Sequence, residues 1–347
     1  MPWTKVFLDK DDLERTLTRQ HLRALSFREA IREATVQAMQ ADPRVFVLGE
    51  GVTDPGGVFG STTGLRRQFG PQRVWEIPIA ENGLTGVAIG AAAAGLRPVF
   101  VHMRMDFLPM CMDQLVNHAA KWHYMTGGTV QVPLTIRSII GRGWGSAAQH
   151  SQALHGLFLG VPGLKIAVPS TPYDAKGLLL SAIEDGNPVL IAEHRWLYDV
   201  MGYVPEERYT VPMGQAVVRR PGQDVTIVAL SQMVYEAARA ATALAKEGIE
   251  AEIIDPRTLR PLDVPAIAAS VRKTGRLVVA DQGCLTGGAS AEIVCRVCES
   301  VLDALRAPPR RVALPDVPTP CSAVLEQAYY PGAAQIVQAV KELIRET

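Results

Sequence analysis

Apolar residues in this chain fall into short continuous runs, separated by stretches with helical spacing. The run Val45-Phe46-Val47-Leu48 ends at Gly49-Glu50 and is typical of a buried strand. Similar runs predict strands at 74–77, 99–101, 134–136, 166–168, 189–192, 225–230, 253–254, 277–280 and 312–314. Helical spacing lies at 27–38, 85–94, 112–124, 173–183, 235–246, 289–305 and 333–343. Continuous apolar strands are typical of parallel sheets covered on both faces, so the pattern predicts an α/β protein.

Two helix starts carry explicit signals. Ser26 precedes Glu29 by three residues, the spacing of a capping box. Thr171 precedes Pro172, a capping hydroxyl followed by a proline suited to the first turn. Both signals place a helix start where the apolar periodicity begins.

The length of 347 residues predicts two domains. Residues 1–25 are mixed in charge and are interpreted as an N-terminal arm. The α/β pattern then runs over 26–203, lapses into Pro, Glu, Arg and Gly over 204–222, and resumes over 223–347. We expect two parallel-sheet α/β domains joined by a linker.

Composition narrows the function classes. Lys plus Arg and Asp plus Glu are both 35, and aromatic residues are 6%, which argues against nucleic-acid binding. The longest small and apolar stretch, 84–96, is too short to cross a bilayer. Five cysteines form no disulfide framework, and the N-terminus carries no apolar signal core, so we expect a cytoplasmic protein.

Several familiar motifs are absent. The sequence contains no G-x-x-x-x-G-K-[ST], no G-x-G-x-x-G that opens a helix after a strand, and no G-x-S-x-G. Cys295 and Cys298 form a C-x-x-C without a second pair, and we interpret both as core residues of a helix.

Two clusters could carry chemistry. Glu81 lies between a predicted strand and a helix made almost wholly of Gly and Ala, where a carboxyl group can share a proton with a ring nitrogen. The alternative is that Glu81 only stabilises the helix N-terminus. His150 follows the glycine-rich stretch 141–145 and can donate a proton or stabilise an anion, although lone histidines are more often structural.

At these clusters the chain resembles the beta subunit of thiamine-diphosphate-dependent 2-oxo acid dehydrogenases, the decarboxylating component of the pyruvate and branched-chain complexes. The resemblance runs from about Ser26 to the C-terminus. It rests on VFVLGE (45–50), IPIAENGLTGVAIGAAAAGLRP (77–98), AAKWHYMTGG (119–128), AAQHSQ (147–152), PGLKIAVPSTPYDAKGLLLSAIEDGNPV (162–189) and IDPRTLRPLD (254–263).

The resemblance implies a pyrimidine-binding domain followed by a transketolase-type C-terminal domain, and it implies roles for four residues. Glu81 stands where the family has the glutamate that hydrogen-bonds the aminopyrimidine ring of the cofactor. Phe107 matches the aromatic residue that packs on that ring, although a core Phe would look identical in sequence. Glu50 matches a carboxylate of the proton network, and His150 matches the histidine that assists acyl transfer to lipoamide.

The resemblance also implies metals and partners. A potassium site of mammalian relatives aligns with five positions, although Asp185-Gly186-Asn187 could be only a helix-ending turn. These positions are Leu134, Ala182, Ile183, Asp185 and Asn187. The Gly-Asp-Gly motif that holds Mg²⁺ in thiamine enzymes does not occur here. The resemblance therefore implies that an alpha subunit holds the diphosphate and Mg²⁺ in an α₂β₂ heterotetramer, with a lipoyl-bearing acyltransferase as a further partner.

Four polar residues depart from the pyruvate-type pattern near the expected cleft: His102, Arg104, Asp106 and Arg142. Charged groups there suggest a more polar substrate than a branched aliphatic oxo acid, unless they pair with one another or with the alpha subunit. The leading hypothesis is decarboxylation of a 2-oxo acid and acyl transfer to lipoamide or another acceptor. The alternatives are a two-component transketolase-like transfer to an aldehyde and a subunit that has lost catalysis and only scaffolds its partner.

Overall fold

The computed structural model describes residues 1–141 and 145–346. The chain forms two compact units. The N-terminal unit consists of Arg23–Ile140 and Phe158–Met213. The C-terminal unit consists of Met1–Leu22, Gly141–Leu157 and Gly214–Thr347, so it draws on three separate parts of the chain.

The N-terminal unit is built around a parallel sheet with helices between its strands. Its strands are β1 (Ala24–Ser26), β2 (Val45–Gly49), β3 (Val74–Glu76), β4 (Arg97–His102), β5 (Thr135–Ile140), β6 (Lys165–Ala167), β7 (Val189–His194) and β8 (Met201–Tyr203). Its helices are α2 (Phe27–Ala41), α3 (Leu65–Phe69), α4 (Glu81–Ala93), α5 (Trp122–Met125) and α6 (Pro172–Glu184). The parallel strands lie in the order β6-β7-β5-β4-β2-β3, while β1 and β8 form an antiparallel pair.

The C-terminal unit has a second, mainly parallel sheet. Its helices are α1 (Lys10–Arg19), α7 (Met233–Ala245), α8 (Val264–Thr274), α9 (Ala289–Val301), α10 (Ala323–Tyr329) and α11 (Ala333–Arg345). Its strands are β9 (Val217–Arg220), β10 (Val225–Ala229), β11 (Ala251–Asp255), β12 (Thr258–Arg260), β13 (Leu277–Cys284) and β14 (Arg310–Leu314). The sheet order is β14-β13-β10-β11-β9, and only the β9–β11 pair in it is antiparallel among the described residues.

Local signals explain where the best-defined helices begin. The Ser26 hydroxyl accepts from Glu29 N, and the Glu29 carboxylate accepts from Ser26 N at 2.8 Å, which completes the predicted capping box. The Thr171 hydroxyl accepts from Asp174 N, with Pro172 at the first position of α6. Each cap satisfies backbone donors that a helix end leaves without partners.

The predicted fold class is confirmed, because two α/β units with parallel sheets are present. Some local predictions were wrong. Residues 112–124 do not form one α-helix, since Gln114–Ala119 is a π-helix and the α-helical turn Trp122–Met125 follows it separately. Cys295 is exposed and Cys298 half-buried, because α9 buries its Ile293, Val297 and Val301 face instead.

The stretches interpreted as an arm and a linker contain regular structure. Residues 1–25 include α1, whose Leu13 and Leu17 are buried. Residues 204–222 include β9, which pairs with β11. Within the described part of the chain, no helix is long and apolar enough to cross a membrane.

Candidate active site

Three adjacent parallel strands of the N-terminal unit end at one edge of its sheet. β2 pairs with both β3 and β4, and Glu50 follows directly after β2. Ligands bind at the carboxyl ends of strands in open α/β sheets, and a small cavity lies at this edge. Its lining comprises Glu50, Ile77, Glu81, Phe100, Val101, His102, Met103, Arg104 and Phe107. The fold therefore brings five of the predicted site residues together.

Glu81 is the first residue of α4 and is 6% exposed. Its Oε2 is buried and has no hydrogen-bond partner among the described residues. A carboxylate oxygen in that state carries a desolvation cost that only a hydrogen-bond donor from outside can offset. Glu81 therefore presents an unused acceptor at the cavity, which stabilising a helix N-terminus alone does not require.

Glu50 is held half-buried beside Glu81. Burial, followed by the negative charges of Glu81 and Glu76, raises the pKa of the Glu50 carboxyl group above its usual range. The turn after Glu50 is fixed by Glu76, which accepts from Gly51 N at 2.6 Å and from Thr53 N at 3.0 Å. Glu50 is thus a carboxyl group that holds a proton more readily than an exposed one.

Phe107 lies half-buried in a 3₁₀ turn that spans Met105–Cys111. The cavity that it lines has a volume of about 10 Å³. This space holds at most about one water molecule. The N-terminal unit therefore presents the face of a site rather than a closed pocket.

His102 ends β4 and is 4% exposed. Burial lowers the pKa of its imidazole to about 3, so the ring is neutral at physiological pH. The ring packs on Phe100 with centroids 4.2 Å apart, and its Nε2 has no hydrogen-bond partner in the described structure. His102 offers a neutral polar atom rather than a positive charge.

Arg104 and Asp106 lie on the same short segment and pair with each other. The distance from Arg104 Nε to Asp106 Oδ2 is 3.4 Å, and the side chains are 7% and 1% exposed. The pair matches the alternative in which these charged residues neutralise one another. Arg142, the fourth polar candidate, lies outside the described residues.

His150 belongs to the C-terminal unit, unlike Glu81, because Gly141–Leu157 packs with that unit. His150 is exposed, and its backbone N–H donates to Ala147 O at 3.4 Å. Ala147 has a φ of 55°, an uncommon left-handed conformation for a residue other than glycine. The histidine thus sits on a strained turn.

Two of the five residues predicted to bind potassium, Ile183 and Asp185, have oxygens that already face positive side chains. Arg97 Nη1 donates to Ile183 O at 2.7 Å and to Asp185 O at 3.2 Å. Lys165 forms an ion pair with the Asp185 carboxylate, and Asp185 Oδ1 also accepts from Asn187 N at 2.9 Å. Leu134 O, by contrast, accepts from Val189 N between neighbouring strands.

Sequence reasoning missed two groups that hold the candidate residues. Glu76 stabilises the turn after Glu50, and its place at the end of a predicted strand was an available signal. His155 and Asp281 form a buried hydrogen bond although they lie 126 residues apart in the chain, and no sequence pattern indicates that contact.

Comparison with known proteins gives a consistent result. The model for "Transketolase, pyrimidine binding domain" matches residues 23–200, and that for "Transketolase, C-terminal domain" matches residues 214–336. The chain is 45% identical over 336 residues to the acetoin:2,6-dichlorophenolindophenol oxidoreductase subunit beta of Bacillus subtilis (strain 168), covering 93% of this chain and 98% of the relative. It is 42% identical over 316 residues to the pyruvate dehydrogenase E1 component subunit beta of Gracilaria tenuistipitata var. liui. That match covers 91% of this chain and 98% of the relative.

A solved structure described as a split gene transketolase, an inactive beta4 tetramer, is also similar. It superposes with a TM-score of 0.71 at 26% identity, covering 92% of this chain and 98% of that chain.

Proposed function

Because the chain belongs to the beta subunits of thiamine-diphosphate-dependent 2-oxo acid dehydrogenases, we propose that it works with an alpha subunit to decarboxylate a 2-oxo acid. The acyl group passes to lipoamide or another acceptor. In this proposal, residues 26–203 are the pyrimidine-binding domain, 204–222 the linker and 223–347 the C-terminal domain.

The unpartnered Oε2 of Glu81 is the observation that carries this proposal. A buried carboxylate oxygen at the carboxyl edge of a parallel sheet, beside an aromatic ring and a second carboxyl group, fits a nitrogen heterocycle with a proton to share. Glu81 would bind a ring nitrogen of the cofactor, Phe107 would pack on the ring face, and Glu50 would extend the proton network. Thiamine diphosphate, when bound, supplies the electron sink for bond cleavage beside a carbonyl.

Three features support a site completed by the alpha subunit. The cavity of about 10 Å³ is too small to enclose a pyrimidine ring. The sequence lacks Gly-Asp-Gly, so the alpha subunit would hold Mg²⁺ and the diphosphate. Helix α4 also leaves an uncovered apolar face, with Val87 51% exposed and open space beside Gly83 and Gly90. We propose that this face packs against another subunit in an α₂β₂ heterotetramer.

His150 would stabilise charge that develops during acyl transfer, because an imidazole N–H can donate a hydrogen bond to a negatively charged oxygen. Its exposure in this chain is consistent with a group that meets a substrate or a lipoyl-bearing acyltransferase. In this proposal, Glu81 of the N-terminal unit exchanges a proton with the cofactor ring, and His150 of the C-terminal unit assists acyl transfer.

The substrate is proposed to be a polar 2-oxo acid. His102 and the Arg104–Asp106 pair bring hydrogen-bonding capacity to the cavity without adding net charge from the pair. Such a lining favours a substrate with polar atoms over a branched aliphatic one.

All five cysteines are free thiols, which supports a reducing compartment such as the cytoplasm.

The first experiment is a cofactor titration. Thiamine diphosphate and Mg²⁺ are added to this chain alone, and then to the chain co-expressed with an alpha-type partner, while near-ultraviolet circular dichroism reports binding. A signal only with the partner is the expected result. A signal from the chain alone would refute the shared site.

The complex is then assayed with pyruvate, branched-chain oxo acids, polar 2-oxo acids and acetoin, using a lipoylated domain or dichlorophenolindophenol as acceptor. Turnover of a 2-oxo acid with reduction of the acceptor is expected. Turnover of acetoin alone, or formation of a new ketol from an aldehyde, would assign a different reaction to the same site.

A further inference from the structure

The segment that carries His150 is held at its start by the C-terminal unit. The Gly145 N–H donates to Glu326 Oε1 at 3.1 Å. The Cys321 thiol donates to Gly145 O at 3.3 Å. Ile140 and Phe158 both belong to the N-terminal unit. Between them, residues 141 and 145–157 pack with the C-terminal unit instead.

The end of the segment is held by a buried hydrogen bond between His155 and Asp281. His155 Nε2 donates toward both carboxylate oxygens of Asp281, at 3.1 Å and 3.2 Å. Both side chains are 2% exposed. Because a buried carboxylate needs a compensating donor, this contact fixes His155 to β13, the strand that contains Asp281, more firmly than packing alone would.

Close backbone packing reinforces the pair. A methyl group added to Gly156 would lie 3.1 Å from Gly287 O and 3.2 Å from Gly288 Cα, so the two backbones touch without a side chain between them. A shift of the segment would therefore break both the His155–Asp281 hydrogen bond and this backbone contact.

The segment between these two anchors needs support. Ala147 adopts a left-handed conformation, which persists only where surrounding contacts determine it. Ser151 and Ala153 are buried, while His150 itself is exposed. The two anchors thus fix the ends of a segment that contains a strained turn, and His150, its candidate functional residue, is exposed.

From this arrangement we infer that Asp281, acting through His155, is a positioning residue for His150. The acyl-transfer step then depends on a carboxylate of the C-terminal unit that contacts neither cofactor nor substrate. This inference rests on the proposed role of His150.

Two variants of His155 test whether its hydrogen bond to Asp281 or only its volume matters. Both are measured in the complex with the alpha partner. His155→Gln keeps a donor near the Nε2 position, whereas His155→Phe keeps the ring volume and removes the donor. We expect His155→Phe to lower kcat for acyl transfer by about ten- to a hundredfold. His155→Gln should retain most of the activity. The reverse order would show that the ring only fills space and would overturn the inference.

Hydrogen exchange gives a readout that is independent of activity. In His155→Phe and in Asp281→Asn, amides of residues 146–157 should exchange about tenfold faster than in the unmodified chain. The circular-dichroism signal of bound cofactor should stay unchanged, because Glu81 belongs to the other unit. Unchanged exchange in both variants would overturn the inference.

A double-mutant cycle links the anchor to His150. Asp281→Asn should add little to the kcat loss of His150→Ala, because a displaced and an absent histidine are equivalent. Losses that multiply would show that Asp281 acts elsewhere. If His150→Ala leaves turnover unchanged while exchange still rises in Asp281→Asn, the anchor stands and the proposed role of His150 fails.

Discussion

Asp106 and Arg104 form an ion pair whose side chains are almost completely removed from solvent, with 3.4 Å between Oδ2 and Nε. Both residues are candidates for substrate contact from sequence alone. Their pairing means that the arginine reaches the cavity with its charge already balanced, so recognition of an anionic substrate cannot be assigned to a lone guanidinium.

Removing one member of this pair should cost more stability than removing both. Asp106→Asn leaves the Arg104 guanidinium buried without its carboxylate, and we expect the free energy of unfolding to fall by about 3 kcal/mol. The double variant Arg104→Met/Asp106→Leu should lose less, because it leaves no uncompensated charge. Urea unfolding of the purified chain measures both values, and equal losses would contradict the coupling.

Replacing Glu81 with Gln should separate cofactor binding from turnover. The amide retains the shape of the side chain but cannot accept a proton, so we expect turnover of the complex to fall by about a hundredfold or more. Assembly with the alpha partner should be unaffected, and cofactor binding should persist with an altered circular-dichroism signal. Glu299→Gln on the exposed face of α9 is the matched control. Unchanged turnover in Glu81→Gln would refute the proposed role.

His102 should make the chain sensitive to acid. Its pKa of about 3 in the folded chain lies below the ordinary value of 6.5, so between these two pH values the unfolded chain binds a proton that the folded chain does not. The free energy of unfolding therefore falls as pH decreases, by about 1.4 kcal/mol per pH unit for this group. His102→Gln should reduce that slope by this amount in urea unfolding at pH 6, 5 and 4. Identical slopes would contradict the assignment.

The open face of α4 should be required for assembly but not for folding. A Cβ atom added at Gly90 would have open space beside it, and leucine there improves helix propensity by about 1 kcal/mol. We therefore expect Gly90→Leu to leave the Tm of the isolated chain unchanged or higher while abolishing co-purification with the alpha partner. Gly160→Leu, at another open and exposed glycine, is the control. Normal assembly of Gly90→Leu would exclude this face as the interface.

Potassium should stabilise the chain no more than sodium does. Arg97 already donates to Ile183 O and Asp185 O, and Lys165 pairs with the Asp185 carboxylate. Two cationic side chains thus already contact oxygens of Ile183 and Asp185, two of the five residues predicted for the site. Equal Tm values in KCl and NaCl at matched ionic strength are expected. A clear preference for KCl would establish the potassium site and require these side chains to move.

Local chemistry made parts of the fold predictable. Ser26 and Glu29 define the start of α2 because both capping contacts lie within one turn. The start of α4 was placed four residues late, at 85, because its N-cap is Ala80, whose side chain gives no signal. Helix α8 was missed although Asp263 caps it and Pro265 lies in its first turn.

The candidate site also contains residues that could be identified from sequence and contacts that could not. Glu50 and Glu81 could be identified because each lies in a stretch that matches the family, and Phe107 because the resemblance aligns it with the family's aromatic residue. The parallel sheet then brings all three to one edge. Pairing of Asp106 with Arg104 was one of two open alternatives, because side-chain directions decide it. The contact of His155 with Asp281 could not be identified, because it depends on tertiary packing over a long chain separation.

The division of the chain between its two units sets an order for synthesis. Every segment of the N-terminal unit has been synthesised once residue 213 is made, whereas the C-terminal unit also needs residues 214–347. Until then, residues 1–22 and 141–157 have no unit to join, and the apolar side chains of Phe7, Leu13 and Leu17 stay uncovered. Burial of these three side chains therefore has to follow the synthesis of the last segment of the C-terminal unit.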